Sequence, residues 1–414
     1  MNIHRVLSTL NSFNNLGIST KMDGINRLAF THNERLAALK FSMYCQELGM
    51  NVYFDKIGNV IARREGKYND LPAVVIGSHI DTVPEGGQYD GLLGVVGALE
   101  VVRHLNDINF ITDHPIEIIA FSCEESARFN VATIGSKYLC GMLNEEDMKT
   151  IKDSDGQSLL EVVQSMTSTD TGKTSYHNNN SMKAFLELHI EQGPILENKN
   201  KDIGIVTHIA APERFKVILK GTTSHSGSTP MPMRKDAIAC GAEIIINVEE
   251  IANKYHKDGI VGTVGGVHIS PNTMNAVPGE VTLLIDVRGI NKEVRTLVVQ
   301  EIRSKIEEIT NKRGIRVSID SLGQDIPIEL SEKIANIIEE KANLQKLSYR
   351  KMFSGAGHDA MNMAHLCPTS MIFIPCKDGI SHSPKESVTT QQIENGINIL
   401  IDTAIEIAST NIKL

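Results

Sequence analysis

AVVIGSHIDTVPEGGQYDGLLGVVGALE, residues 73–100, is the stretch whose reading decides the fold. AVVIG is an unbroken apolar run of small and β-branched residues, the pattern of a parallel strand covered on both faces. Just past it, His79 and Asp81 fall on one side of the extended chain. Asp81 is then placed to reach the His79 imidazole and fix its tautomer, as carboxylates do behind metal-bound histidines. Asp90 follows across a Gly-rich turn. GLLGVVGALEVVRHL (91–105) has helical spacing, with glycines that allow the helix start to lie close to whatever His79 and Asp90 hold. On this stretch alone, a surface histidine and two turn aspartates beside an ordinary strand–helix unit is the competing reading.

Bulk composition narrows the class. A chain of 414 residues exceeds a usual single core, so two domains are expected. Hydrophobic residues at 41% and charged ones at 22% are ordinary for a globular enzyme, and a net charge of −9 speaks against nucleic-acid or anionic-membrane partners. Six cysteines (Cys45, Cys123, Cys140, Cys240, Cys367, Cys376) form no CxxC pair, which points to a reducing, cytoplasmic setting. The start, MNIHRVLSTLNSF, lacks the form of a secretion signal, and no apolar run approaches about 18 residues.

Working outward, Met1–Phe13 and Asn33–Leu48 read as helices, the second stopped by Gly49, and NVYFDKIGNVIARREG as an edge hairpin. Ile116–Phe121 is a second buried strand, and it ends in Glu124-Glu125. Adjacent carboxylates there repel and resist burial unless something positive lies beside them, such as a metal. Asp153–Lys183 is polar and reads as a surface excursion. The next strand, Phe185–Ile190, places Glu187, His189 and Glu191 on one face, a pattern suited to a polar site. From residue 211 the order becomes βαββαβ, with a helix over MRKDAIACGAEIIINVEEIANKYH (233–256), the split βαβ pattern of a ferredoxin-like domain. A helix at SEKIANIIEEKANL, the glycine-rich SGAGHDAMNMAHL, a strand TSMIFIP and the loop CKDGISHSPKES then resume the first domain. The expected boundaries are 1–210 and 325–414 for the first domain and 211–324 for the insert, in an α/β fold with a mainly parallel central sheet. Each polar cluster ends a strand, where open α/β sheets bind ligands.

GSHIDTVPEGGQYDG, CEESARF, ELHIEQGP, SHSGSTPM, SGAGHDA and GISHSPKE occur in this order over most of the chain. Together they resemble the dinuclear-metal amidohydrolases related to the M20 peptidases, and most closely the hydantoinase/carbamoylase branch acting on N-carbamoyl-L-amino acids, allantoate and other ureido compounds. The resemblance implies a zinc-exopeptidase-like catalytic domain, with the insert as lid and dimerisation domain. It implies two divalent metal ions per chain, Zn2+ or Mn2+. Asp90 would bridge them, with His79 and His189 completing one site and Glu125 and His382 the other. Glu124 matches the general base, with Asp81 beside it, and His225 an oxyanion donor acting in trans within a homodimer. Asn275 and Arg288 match residues that bind a substrate carboxylate, with Gln192, Arg214 and Gly357 as further contacts. His189 stands where the peptidase branch has a carboxylate, which favours ureido substrates over dipeptides. Arg214 fits the allantoate-type members, so carbamoylase and allantoate amidohydrolase remain rivals. An aminoacylase or dipeptidase is the wider alternative, and a non-catalytic binding protein the alternative from another class.

His358 and Asp359 read as organisers of the glycine-rich loop. His4, His32, His104, His114, His177, His256, His268 and His365 read as surface or packing residues. Cys123 has no base spaced to activate it.

Overall fold

A computed structural model describes residues 1–19, 23–166, 181–410 and 414. It divides into two units, Met1–Thr207 with Glu329–Leu414, and His208–Ile328.

The sheet of the larger unit runs, in spatial order, Asn51–Phe54, Val60–Arg64, Ile116–Phe121, Ala73–His79, Met182–Ile190, Thr369–Ile374 and Ile203–Ile209, and Tyr349–Ser354 pairs with the last of these. Its four middle strands are mutually parallel, and the hairpin expected at residues 51–64 forms the antiparallel edge. Every residue of Ala73–His79 and Ile116–Phe121 is buried, as the unbroken apolar runs require. The helix Leu92–Asp107 is buried at nearly every position of its first three turns. It packs with Thr390–Ser409 into one core with the sheet. Register sets the level of the strand ends: His79 lies opposite Phe121, and His189 opposite Phe373. The segments that follow these strands therefore emerge at one edge, the carboxyl edge where such sheets hold ligands.

The smaller unit carries four antiparallel strands in the order Arg316–Gln324, Ala211–Lys220, Glu280–Gly289, Val261–Ser270. Along Glu280–Gly289 the residues Val281, Leu283, Ile285 and Val287 are buried in alternation, and they share a core with the helices Ala237–Lys254 and Lys292–Arg313. The element order is βαββαβ. The first of these helices begins four residues later than its composition suggests, because the Asp236 side chain accepts the backbone N–H groups of Ile238 and Ala239 and so caps it.

The polar excursion needs partial revision. Leu159–Met166 is a helix that buries Leu159, Val162 and Val163, since its apolar residues recur at helical spacing, and the strand that follows starts already at Met182. Residues 167–180, His177 among them, lie outside the described residues. Among the described residues no helix is long and apolar enough to cross a membrane. All six cysteines are free.

Ile76 is wholly buried in the middle of the central strand. Ile76→Ala should cost about 2–5 kcal/mol through lost burial and the cavity left behind, measured as a lower urea midpoint with an unchanged slope.

Candidate metal centre

His79 closes the central strand and Asp90 stands two residues before the helix that follows, while His189 lies near the end of the neighbouring strand. Glu125 comes from the loop after Ile116–Phe121, and His382 from the loop after Thr369–Ile374. The other four converge on Asp90. Its Oδ1 is 3.1 Å from His189 Nε2 and 3.6 Å from His79 Nε2, and its Oδ2 is 3.1 Å from His382 Nε2. His382 Nε2 is also 3.1 Å from Glu125 Oε1, and Glu124 Oε2 is 4.0 Å from His79 Nε2. Asp90 thus belongs to two groups with ligand atoms close enough to share an ion, one with His79 and His189 and one with Glu125 and His382. The structure thus brings together the five residues expected as ligands.

The tautomers suit cations. His79 Nδ1 faces the Asp81 backbone carbonyl at 3.1 Å and His189 Nδ1 the Ile190 carbonyl at 2.9 Å. A carbonyl only accepts, so each Nδ1 carries a proton and each Nε2 turns a lone pair toward Asp90. Gly91 N–H donates to His189 Nε2 at 3.2 Å, consistent with that lone pair. With the two rings in this tautomer, buried Asp90 Oδ1 meets no hydrogen-bond donor among the described residues. Three lone-pair atoms facing one another at this spacing fit a divalent cation with nitrogen and oxygen ligands.

Without a cation, protons meet the charge. Burial disfavours the charged forms of both Asp90 and His79. Hydrogen bonds from His189, His382 and His79 nevertheless hold Asp90 well below the usual carboxylate range, and Asp81 and Asp90 raise His79 well above its own. Hydrogen bonds to Asp90 and Glu125 lift His382 to about 10. Glu124 is pushed well above its usual value by burial, which His79 opposes and the carboxylates of Glu125, Asp359 and Asp81 reinforce. The Cys123 thiol is fully buried and also pushed up, which leaves it inert as a nucleophile.

Asp81 acts differently from the expected contact. Its carboxylate lies 3.5 Å from His79 Nδ1, and the nearer acceptor is its own carbonyl. The carboxylate instead accepts the N–H groups of Glu124 and Glu125, each at 3.0 Å. One residue therefore orients the imidazole through its backbone and the Glu124-Glu125 turn through its side chain. Cys123, Gln192 and His382 all have φ near +55°, a region L-residues seldom adopt and one that recurs at functional sites. Gln192 Nε2 donates to Asp90 Oδ2 at 2.8 Å. Gly357 lies in the loop leading to the short helix Asp359–Met363.

Other expected residues belong to the smaller unit. His225 is exposed, and its Nδ1 accepts N–H groups from Gly227 and Ser228 at 3.1 and 3.2 Å. The neutral ring therefore presents an N–H donor at Nε2. Asn275 is also exposed, next to the strand residue Ala276 that pairs with His225. Arg288 Nε and Nη2 lie 2.9 and 3.2 Å from the Asp286 carboxylate, and Arg214 Nε lies 2.8 Å from it. Both arginines thus form ion pairs within their own sheet.

A buried set supports the centre, in which Glu187 and His358 were expected as polar-face and loop residues and Ser381 and Glu386 were not. Glu187 accepts from Ser78 Oγ at 2.8 Å and from Ala360 N–H at 2.9 Å, and buried His358 packs edge-on to His189 with ring centres 4.6 Å apart. Ser381 and Glu386 flank Asp90. The only signal for these two lay in their proximity to His382 in GISHSPKE.

Residues 75–406 match the model of peptidase family M20/M25/M40. The chain belongs to this family. It is 38% identical to an N-carbamoyl-L-amino acid amidohydrolase of Geobacillus stearothermophilus over 93% of this chain and 94% of that one. It is 36% identical to a ureidoglycolate hydrolase of Arabidopsis thaliana, covering 91% and 80% of the two chains. With an allantoate amidohydrolase of Bacillus subtilis the identity is 34% over 93% of each. Among solved structures, an amidase of the hydantoinase/carbamoylase family from Burkholderia multivorans superposes with a TM-score of 0.92 at 33% identity, covering 99% of both chains.

Gly91, at φ 64° and ψ −51°, has a backbone open only to glycine, and a Cβ there would meet the His79 ring at 2.4 Å. Gly91→Ala should displace the ring and weaken binding of Zn2+ or Mn2+ by about 10-fold or more, with the circular dichroism spectrum retained. Titration of metal-free protein measures this.

Proposed function

We propose that this M20-family chain hydrolyses the linear ureido C–N bond of an N-carbamoyl-L-amino acid or an allantoate-like substrate, releasing ammonia and carbon dioxide. The observation that carries the reading is Asp90, buried and shared between two sets of ligand-type side chains. The names of the Geobacillus, Arabidopsis and Bacillus relatives support the ureido class. His79 and His189 with one oxygen of Asp90, and Glu125 and His382 with the other, would hold two divalent cations. Cations bound there supply Lewis-acid polarisation and make water nucleophilic at neutral pH.

Glu124 takes the proton of the attacking water and delivers it to the leaving nitrogen. Its burial and raised proton affinity suit a base that must also act as an acid. His225 donates from Nε2 to the oxyanion of a partner subunit, so the working form is a homodimer with the smaller unit as lid. Arg288 and Asn275 receive the substrate carboxylate, the guanidinium by its planar two-point geometry. Gln192, Arg214 and the Gly357 backbone are the further substrate contacts of this reading. The six free cysteines support a cytoplasmic location.

The direct test is ammonia release by metal-loaded protein on allantoate, ureidoglycolate, several N-carbamoyl-L-amino acids, an N-acetyl amino acid and a dipeptide. Preference for either of the last two would overturn the ureido assignment.

Glu124→Gln should lower kcat by roughly 10²–10⁴ with little change in KM and with metal retained, whereas Glu125→Gln should lose metal. Metal analysis beside steady-state kinetics separates the two, and the opposite pattern would reverse the assigned roles.

His225→Ala should lower kcat by a factor corresponding to about 2.7–4 kcal/mol while keeping metal. Mixed with Glu124→Gln chains it should regain activity, since a heterodimer then has one site with both defects and one with neither. Subunit exchange, shown by tagged co-purification, without recovered activity would place His225 outside catalysis in trans.

A further inference from the structure

Glu386 is buried, at 4% exposure, and lies four residues beyond His382, yet its carboxylate serves a segment almost 300 positions earlier in the chain. Oε1 accepts the backbone N–H of Tyr89 at 2.7 Å and that of Asp90 at 3.1 Å. Oε2 faces Ser381 Oγ at 3.0 Å, and the same hydroxyl lies 2.8 Å from Asp90 Oδ2. The approach depends on Gly87: a Cβ there would fall 2.2–2.4 Å from the carboxylate carbon and oxygens of Glu386. The Gly-rich turn before Asp90 thus leaves room for an incoming side chain as well as shaping its own backbone.

The placement has a cost. Glu386 brings a second carboxylate beside Asp90, and like charges at this range repel. A packed apolar residue or a neutral amide would fill the space without repulsion. The carboxylate is compensated by the two amides and the hydroxyl, and all three lie on or against the segment that carries Asp90. The arrangement serves to hold that segment still without occupying a ligand position.

We infer that Glu386 is a positioning residue for the metal centre: it clamps the backbone at Tyr89 and Asp90, and through Ser381 the Oδ2 edge of the Asp90 carboxylate, so that both Asp90 oxygens keep their directions toward the two ligand sets. This rests on the two-cation reading above. Glu386 itself touches neither cation nor substrate, and it acts through Asp90.

The test is calorimetric titration of metal-free full-length protein with Mn2+ or Zn2+, together with the melting temperature of the metal-free form and kcat and KM of the loaded enzyme. Glu386→Ala should weaken cation binding by about 10–100-fold, the range for residues that support metal ligands, and lower kcat with KM within about threefold. Glu386→Gln keeps an oxygen for the two amides and should recover most of the affinity. Gly87→Ala, which pushes the carboxylate away while leaving it in the chain, should reproduce the defect of Glu386→Ala, and it keeps the test available if Glu386→Ala fails to fold. Cation affinity within about threefold of wild type in both Glu386→Ala and Gly87→Ala, with only the melting temperature reduced, would make Glu386 a packing residue and overturn the inference. Equal losses in Glu386→Gln and Glu386→Ala would overturn it too, since charge rather than the amide clamp would then be what matters. If wild-type protein bound no cation, the two-cation reading itself would fail, an outcome distinct from either of these.

Discussion

The charge on Asp90 is the constraint on which the larger unit depends. A carboxylate at 6% exposure must be met by opposite charge or by donors, or its burial costs several kcal/mol. Three imidazoles, the Gln192 amide and the Ser381 hydroxyl surround it, and they arrive from the ends of three strands. Parallel strands that finish at one level bring such residues together, and the apolar runs beneath them bury the sheet that holds the level. Cations and protons are alternative ways of meeting the same charge. The elevated affinity of His382 for a proton, with a pKa of about 10, is the cation-free side of that balance.

A second group of contacts decides whether the ligands point correctly. Carbonyls of Asp81 and Ile190 take the Nδ1 protons of His79 and His189 and leave Nε2 free. The Asp81 carboxylate holds the Glu124-Glu125 turn by its two N–H groups, which fixes the two adjacent carboxylates as the proposed division into ligand and proton acceptor requires. Backbone atoms do most of this orienting. Cys123, Gln192 and His382 hold positive φ here, where the chain gives up a comfortable conformation to aim a peptide group or a side chain.

What was legible in the sequence follows from the same division. Strand ends carrying His79, Glu124-Glu125 and His189 stood out because apolar runs break into polar clusters at a definite point, and the five ligand candidates meet in the structure as their motifs implied. The βαββαβ order was legible from alternation and helical spacing. Glu386 was not legible, because its partners are backbone amides almost 300 positions away and neither period nor motif records such a pairing. The dual use of Asp81 was hidden for a related reason: spacing placed its carboxylate near His79, whereas the closer acceptor is a carbonyl that every residue possesses. The later start of the Ala237–Lys254 helix turned on one cap, Asp236, set against an apolar pattern that ran past it.

On the proposed reading, side chains of the smaller unit are prepared for a ligand by contacts of their own. Two backbone N–H groups fix the His225 tautomer, so its exposed Nε2 is a donor before any ligand arrives. Asp286 holds Arg214 and Arg288 side by side on one sheet face, and the three together carry a net positive charge. An arginine held in place by a carboxylate gives up some attraction for an incoming anion, but it has already lost the side-chain freedom that binding would otherwise remove. The ion pair that reads as purely structural when Arg288 is viewed alone is, with Arg214 on the same carboxylate, also a means of presenting two planar donors in a fixed relation.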